Sequence, residues 1–173
     1  LKLINCVGGG SSAYGFWSEF FDYNKKNVEL IGVEAGGPRN SRLHAAPLSK
    51  NSKIAILHGA AAYCVQDSDG QIDETDSCSS GLDYPSTSPI HCYLKDLGRA
   101  RYTFATDEEA FSAYKLVTDL EDISPSLEPS HSFAEAIKIA PKLDSSNIIV
   151  VNSCGDSLKD KDIIKKRLGS YSR

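Results

Sequence analysis

An apolar run, Leu3 to Val7, ends in three consecutive glycines, Gly8, Gly9 and Gly10, and opens through Ser11-Ser12-Ala13-Tyr14-Gly15 into an amphipathic stretch. Strand, glycine loop and helix are thereby fixed in that order. The glycines let the backbone turn its N–H groups toward a ligand without Cβ interference, and the following helix adds unpaired amides and the positive end of its dipole. Ser11 and Ser12 can cap that helix or donate hydroxyls to a phosphate. A plain glycine turn is the competing reading of a triple glycine, and the strand before it and helix after it favour the anion. The spacing matches neither the dinucleotide fingerprint nor a Walker loop, because no Lys-Ser or Lys-Thr follows the glycines. A nucleotide is therefore not the first ligand it suggests.

Strand and helix patterns alternate along the rest of the chain. Ala13, Phe16, Trp17, Phe20 and Phe21 recur at helical spacing and form a core face. Val28 to Val33 reads as a buried strand and Lys53 to Leu57 as a short one, with residues 36 to 52 a loop holding a brief helical piece near His44 to Leu48. Tyr63 to Thr75 reads as a hairpin-like excursion turning at Asp69-Gly70. A short helix is expected over Pro89 to Leu97 and a strand over Arg101 to Ala105. Thr106-Asp107-Glu108-Glu109 is a capping box opening a helix with Ala110, Phe111, Tyr114 and Val117 on its face. Ser130 or Ser132 is expected to cap the next helix, whose face is Phe133, Ala136, Ile137 and Ala140 and whose stop is Pro141. Asn147 to Asn152 is the last strand. This alternation predicts an α/β fold in three layers, a mostly parallel sheet with helices on both faces. Ligands of such sheets sit beyond the carboxyl ends of strands, and three such ends carry chemistry: Val7, Leu57 before His58-Gly59, and Val151 before Asn152-Ser153-Cys154-Gly155.

Composition narrows the classes. The 173 residues suit one domain with its own core, and no stretch approaches the roughly 20 apolar residues of a membrane span. A net charge of −4 offers no basic field for nucleic acid; the cationic tail, Lys159 to Arg167, reads as a solvated helix face, and Lys50, Lys53 and Lys95 as solvated surface charges. Five cysteines, an odd count without Cys-x-x-Cys spacing, read as reduced thiols of a cytoplasmic protein, and the four histidines lack zinc-ligand spacing, so no transition metal is expected.

The glycine string is similar to the Gly-Gly-Gly-Ser-Asn-Ala phosphate cup of the tryptophan synthase β-chain group of pyridoxal-phosphate (PLP) enzymes, with Ser12 at the Asn position. The likeness continues in the family's order through Leu30-Ile31-Gly32-Val33-Glu34-Ala35-Gly36-Gly37, Leu57-His58-Gly59, Gln66 to Ile72, Ser80 to Pro85, His91 to Ala100, Thr106 to Ala110, Leu127 to His131 and Val150-Val151-Asn152. It covers roughly residues 3 to 162. It implies a fold-type II PLP enzyme, and only its C-terminal, cofactor-binding half; the N-terminal half with the Schiff-base lysine would lie outside this sequence, and residues 155 to 173 would form a tail, helical or mobile.

The resemblance also implies roles. Gly8, Gly9, Gly10, Ser11 and Ser12 would hold the cofactor phosphate, and Cys6 would pack against one face of its ring. Cys154 stands where the family usually has Ser, bonding the pyridine nitrogen; a buried structural cysteine is the alternative, and a neutral thiol is the weaker hydrogen-bond partner. Glu128 matches the carboxylate near the ring, although by itself it reads as a loop charge. Asp83 matches the carboxylate that takes the substrate hydroxyl, with Gly81 beside it; alone, Leu-Asp-Tyr-Pro reads as a turn. Backbone carbonyls of Gly8, Tyr84 and Ser86 match a monovalent-cation site for Na or K. The segment Gly155 to Asp162 departs from the family's Gly-Arg-Gly-Asp-Lys-Asp. The implied parent reaction joins L-serine and indole into L-tryptophan and water, with the missing half, a second copy in a homodimer and a tryptophan synthase α chain as partners; the fragment alone would be inactive. A PLP-dependent serine or threonine dehydratase, which uses Cys at the place of Cys154, and a noncatalytic anion-binding domain are the alternatives.

Overall fold

The computed structural model describes residues 1–169. Six strands and five helices follow one another as β1 (Lys2–Cys6), α1 (Ser11–Trp17), β2 (Glu29–Ala35), β3 (Lys53–Leu57), β4 (Ala60–Cys64), α2 (Pro89–Asp96), β5 (Ala100–Ala105), α3 (Asp107–Glu121), α4 (Leu127–Ile139), β6 (Ile149–Val151) and α5 (Lys161–Leu168). Four strands form an all-parallel sheet in the order β5-β2-β1-β6. In register, Leu3 lies beside Leu30 and Val150, and Gly32 beside Tyr102.

Side chains alternate across this sheet, so each face acquires its own core. Leu3, Leu30 and Ala100 face Trp17 of α1 and Leu94 of α2, with Val7 and Ala13 in the same cluster. Ile4, Ile31, Val33 and Ala105 face Ala113 of α3 and Ala134 of α4. The three-layer arrangement expected from sequence is present. Strand order reverses at β1, because α1 leads away over one face to β2 while α4 arrives under the other to reach β6. The crevice beyond the end of β1 is therefore the place where an open α/β sheet leaves room for a ligand.

Several local expectations differ from the structure. Lys53–Leu57 does not join the parallel sheet; it pairs antiparallel with Ala60–Cys64, and His58-Gly59 is the hairpin turn, with φ of 51° and 80°. Alternating apolar residues cannot reveal which sheet a strand joins, and two left-handed residues in succession decide it for a tight hairpin. No helical piece forms at His44 to Leu48. Instead Ala45 bridges to Ala35, and the amides of Leu48 and Ser49 donate to the Glu34 carboxylate. A buried acceptor has taken the donors a helix would have used.

The fourth helix starts earlier than expected, behind Ser126, so Ser130 and Ser132 lie inside it and Glu128 sits in its first turn rather than in a loop. Asp160 fixes that start by accepting from the Leu127 amide at 2.8 Å. Its inner face is Ala134 with Phe133, Ala136 and Ile139, while Ile137 and Ala140 are exposed. The tail is not merely solvated: after a 3-10 turn at Ser157–Asp160, α5 buries Ile164 against Phe111, Tyr114 and Leu127. Residues 170 to 173 of the expected tail lie outside the described residues. Lys50 and Lys95 are likewise not free surface charges, for Lys50 donates to the Gly36 carbonyl at 2.9 Å and lies over Phe104, and Lys95 lies over Tyr63.

Glu34 is fully buried in β2, and burial pushes its carboxyl up to about 7 although three donors from Leu48 and Ser49 pull the other way. An acid raised above its unfolded value favours the native state most below that unfolded value, near 4.5. Its contribution is then lost as pH rises through about 7. Urea unfolding of the chain across this range should show that decline, and Glu34→Gln should flatten it; an unchanged slope in the variant would remove Glu34 as its source.

Candidate active site

The loop after β1 is set by Gly10, whose φ of 96° lies in the left-handed region and whose own Cβ, were there one, would meet the His91 ring at 2.1 Å. His91 is fully buried under the loop. Its Nε2–H donates to the Gly10 carbonyl at 2.8 Å, and its Nδ1 is 2.8 Å from the Tyr102 hydroxyl, which donates to it. Burial holds the imidazole below its ordinary range, so it is neutral and this tautomer is the one the two partners require. Ser88 N–H donates to the Gly9 carbonyl. The loop's carbonyls are thus drawn back toward α2, and no acceptor among the described residues takes the amides of Gly8, Gly9, Gly10, Ser11, Ser12 or Ala13. Six unpartnered amides, five of them on residues that line one crevice, with open space beside Gly9, suit an anion.

These residues share a cleft of about 160 Å³ with Cys6, Gly81, Leu82, Glu128, Cys154 and Gly155. The Ser12 hydroxyl is held from behind by the side-chain amides of Asn5 and Asn152, at 3.4 and 3.3 Å. Glu128 Oε1 accepts from the Gly81 amide at 3.0 Å and from the ammonium of Lys159, while Oε2 is buried without a partner among the described residues. Burial alone would raise this carboxyl; the hydrogen bond and charge of Lys159, with the Ser126 hydroxyl, bring it down to about 2. The cleft therefore contains a fixed negative charge with one open acceptor oxygen.

Cys6 and Cys154 face one another with their sulfurs 3.7 Å apart. A hydrogen bond from Cys6 holds the Cys154 thiol down to about 6, with a second from Ser12, while the same contact and burial push Cys6 well up. The contact thus favours the ionised form at Cys154 and the neutral form at Cys6. All five cysteines are free.

Of the residues singled out in sequence, Cys6, Gly8 to Ser12, Gly81, Glu128 and Cys154 come together. Asp83 does not line the cleft: it is exposed on the neighbouring loop, where its amide donates to Ser79. Tyr84 and Ser86 are also outside it, the Tyr84 hydroxyl pairing with His58 at 2.9 Å and the Ser86 hydroxyl donating to the Tyr63 carbonyl at 3.1 Å. The turn at His58-Gly59 meets this loop and not the end of the parallel sheet. Lys159, His91 and Asn5 were not anticipated, and Asn152 was marked only as part of a strand end that carries chemistry. His91 carries a signal, a histidine at the apolar spacing of a helix facing the glycine loop, whereas Lys159 reaches Glu128 only through the fold of the tail.

No protein-family model matches the chain. In fold, over 99% of its length, the chain is similar to half of an L-serine ammonia-lyase from Rhizomucor miehei, with a TM-score of 0.62 at 17% identity. In sequence it is 46% identical over 162 residues to a tryptophan synthase beta chain of Chromobacterium violaceum and 44% identical over 168 residues to one of Rhodopseudomonas palustris. These alignments take in 93% and 97% of the chain. The chain belongs to the tryptophan synthase beta chain family. It spans about 40% of the length of these relatives.

Alkylation of Cys154 tests the thiol pair. The rate should reach half its plateau near pH 6, and Cys6→Ala should move that midpoint up toward the ordinary thiol range. The contribution of Cys154 to stability is present above the unfolded thiol value and is lost as pH falls through about 6, whereas that of the raised Cys6 is lost as pH rises. A midpoint unchanged by the Cys6 variant would show that Cys6 does not supply the hydrogen bond.

Proposed function

We propose that this chain is the cofactor-binding part of a PLP-dependent β-replacement enzyme whose whole reaction is L-serine plus indole to L-tryptophan plus water. The observation that carries the reading is the set of unpartnered amides from Gly8 to Ala13, set beside a buried ionised carboxylate with one open oxygen. A phosphate suits the first and a hydrogen-bond donor on a ring the second. PLP, when bound, supplies an electron sink that allows a group on the substrate's β carbon to leave and be replaced.

The chain's own residues bind and orient. Amides of Gly8 to Ser12 take the phosphate, with the Ser11 hydroxyl available as a further donor. Cys6 packs on the ring, and Cys154 accepts one hydrogen bond at the ring nitrogen. Glu128, kept ionised by Lys159, places negative charge along the ring's edge. Gly81 and Asp83 border the substrate, and the exposed Asp83 carboxylate receives the serine hydroxyl when its loop closes. The carbonyls of Gly8, Tyr84 and Ser86 are the proposed holders of Na or K. The lysine that carries the cofactor lies in the remaining length of the enzyme, and Ile54 and Ile56 of β3, 65% and 71% exposed, offer that part an apolar surface to cover. A second copy and an α chain complete the proposed assembly. The place of action is proposed as the cytoplasm; no helix among the described residues is long and apolar enough to cross a membrane.

Cys154 is the observation that favours a second reading, a serine or threonine dehydratase, in which water and not indole completes the reaction. Joining the chain to the N-terminal part of the Chromobacterium violaceum relative separates the two. Serine-dependent product should form only with indole present, and Asp83→Ala should raise KM for serine about tenfold or more, the effect of one hydrogen bond to a charged group. The chain alone should bind PLP reversibly, in competition with inorganic phosphate and weakened by Gly9→Asp. Ammonia release independent of indole would favour the dehydratase, and PLP binding indifferent to phosphate would remove the loop from the site.

A further inference from the structure

On the far side of the Gly81 loop, three side chains from distant parts of the sequence converge. Cys78 lies on the strand-like approach to that loop, Asp107 is the first residue of α3, and His131 is on α4. One ligand atom from each, a sulfur, a carboxylate oxygen and an imidazole nitrogen, lie within 4.8 Å of one another, with Asp107 and His131 buried and Cys78 partly so. We propose that these three residues form a binding site for one divalent transition-metal ion of the zinc type.

The hydrogen-bond pattern motivates an ion rather than a simple polar cluster. His131 Nδ1–H donates to the Leu127 carbonyl at 2.7 Å, which leaves Nε2 as a lone-pair acceptor, fully buried and without a partner among the described residues. Asp107 accepts the Cys78 amide on Oδ2 at 3.1 Å, and its Oδ1 is equally buried and unpartnered. Two orphaned acceptors thus face a thiol whose single proton can satisfy only one of them. A cation satisfies all three. The carbonyl behind His131 and the amide behind Asp107 also fix the orientation of both groups, the outer-shell support that metal ligands ordinarily have.

The donor set is borderline-soft, one sulfur, one nitrogen and one oxygen, which suits Zn²⁺ and excludes the all-oxygen shells of Mg²⁺ and Ca²⁺. A tetrahedral ion with bonds of about 2.0 to 2.3 Å needs its ligands roughly 3.3 to 3.7 Å apart, so binding draws the three atoms together by up to about 1 Å. The half-buried Cys78 is free to make that movement. Binding replaces the Cys78 S–H bond by a metal–thiolate bond and releases the proton to solvent; thiolate, carboxylate and neutral imidazole then balance the charge of the ion. A cavity of about 350 Å³, lined in part by Asp76, Glu108, Lys166 and Arg167, opens onto Cys78 and Asp107 and gives water access to the fourth position. The ion would tie the segment leading to Gly81 and Asp83 to α3 and α4.

Co²⁺ titration of the reduced, chelator-treated chain tests the site. One equivalent should bind and give a thiolate-to-cobalt charge-transfer band together with tetrahedral ligand-field bands, and Zn²⁺ should displace it. The charge-transfer band should vanish in Cys78→Ser, and affinity should fall at least about tenfold in His131→Asn and in Asp107→Asn. Cys154→Ala should bind as the unchanged chain does. X-ray absorption of the zinc-loaded chain gives a measurement that needs no variant: one sulfur and at least two nitrogen or oxygen ligands are expected. Absence of stoichiometric binding, a band that survives Cys78→Ser, loss of the band in Cys154→Ala, or two or more sulfur ligands would each overturn the proposal.

Discussion

The carbonyl of Gly10 must point away from the crevice if the loop's amides are to point into it, and one buried histidine enforces this. His91 takes the Gly10 carbonyl on one ring nitrogen and is itself held by the Tyr102 hydroxyl on the other. Tyr102 reaches that position because its cross-strand neighbour in β2 is Gly32; a Cβ there would meet the Tyr102 ring at 2.6 Å. A glycine in the middle of one strand thus decides the placement of a tyrosine on the next, which fixes a histidine on a helix, which sets the peptide at the end of a third element. The two polar contacts of His91 are ordinary hydrogen bonds, each contributing about 1 kcal/mol, yet the unpaired alternative in a buried setting costs more.

Glu128 is the second centre of organisation. Its helix begins where it does because Asp160, returning from the tail, caps Leu127, and the adjacent Lys159 meets the carboxylate that this early start delivers. The tail therefore does two jobs with two consecutive residues: one positions the helix, the other keeps its glutamate charged. The pair is half-buried, with the Lys159 side chain 40% exposed, and the attraction outweighs the desolvation of Glu128. What it secures is an oriented carboxylate, with one oxygen engaged by Gly81 and Lys159 and the other buried without a partner among the described residues. The segment from Gly155 to Asp162 opens with a left-handed turn at Gly155, with φ of 91°.

The sequence by itself determined the parts whose information is local. Short apolar stretches placed β1, β2 and β5, the Thr106 to Glu109 capping box placed the start of α3 with both of its hydrogen bonds, and three glycines after a strand marked the anion loop. These features depend on residues a few positions apart, so propensity and spacing are enough. Only the tertiary structure decided the rest. Whether Lys53–Leu57 enters the main sheet, where α4 begins, why His44 to Leu48 is not helical and which way the tail turns all depend on partners far away in sequence: Ala60–Cys64, Asp160, Glu34 and Glu128. Charge states belong to the same class. Nothing in the residue names tells that the Cys154 thiol is held down, that the Glu34 carboxyl is pushed up or that ligand atoms of Cys78, Asp107 and His131 lie close together, because each follows from burial and from a neighbour that only the folded chain brings within reach.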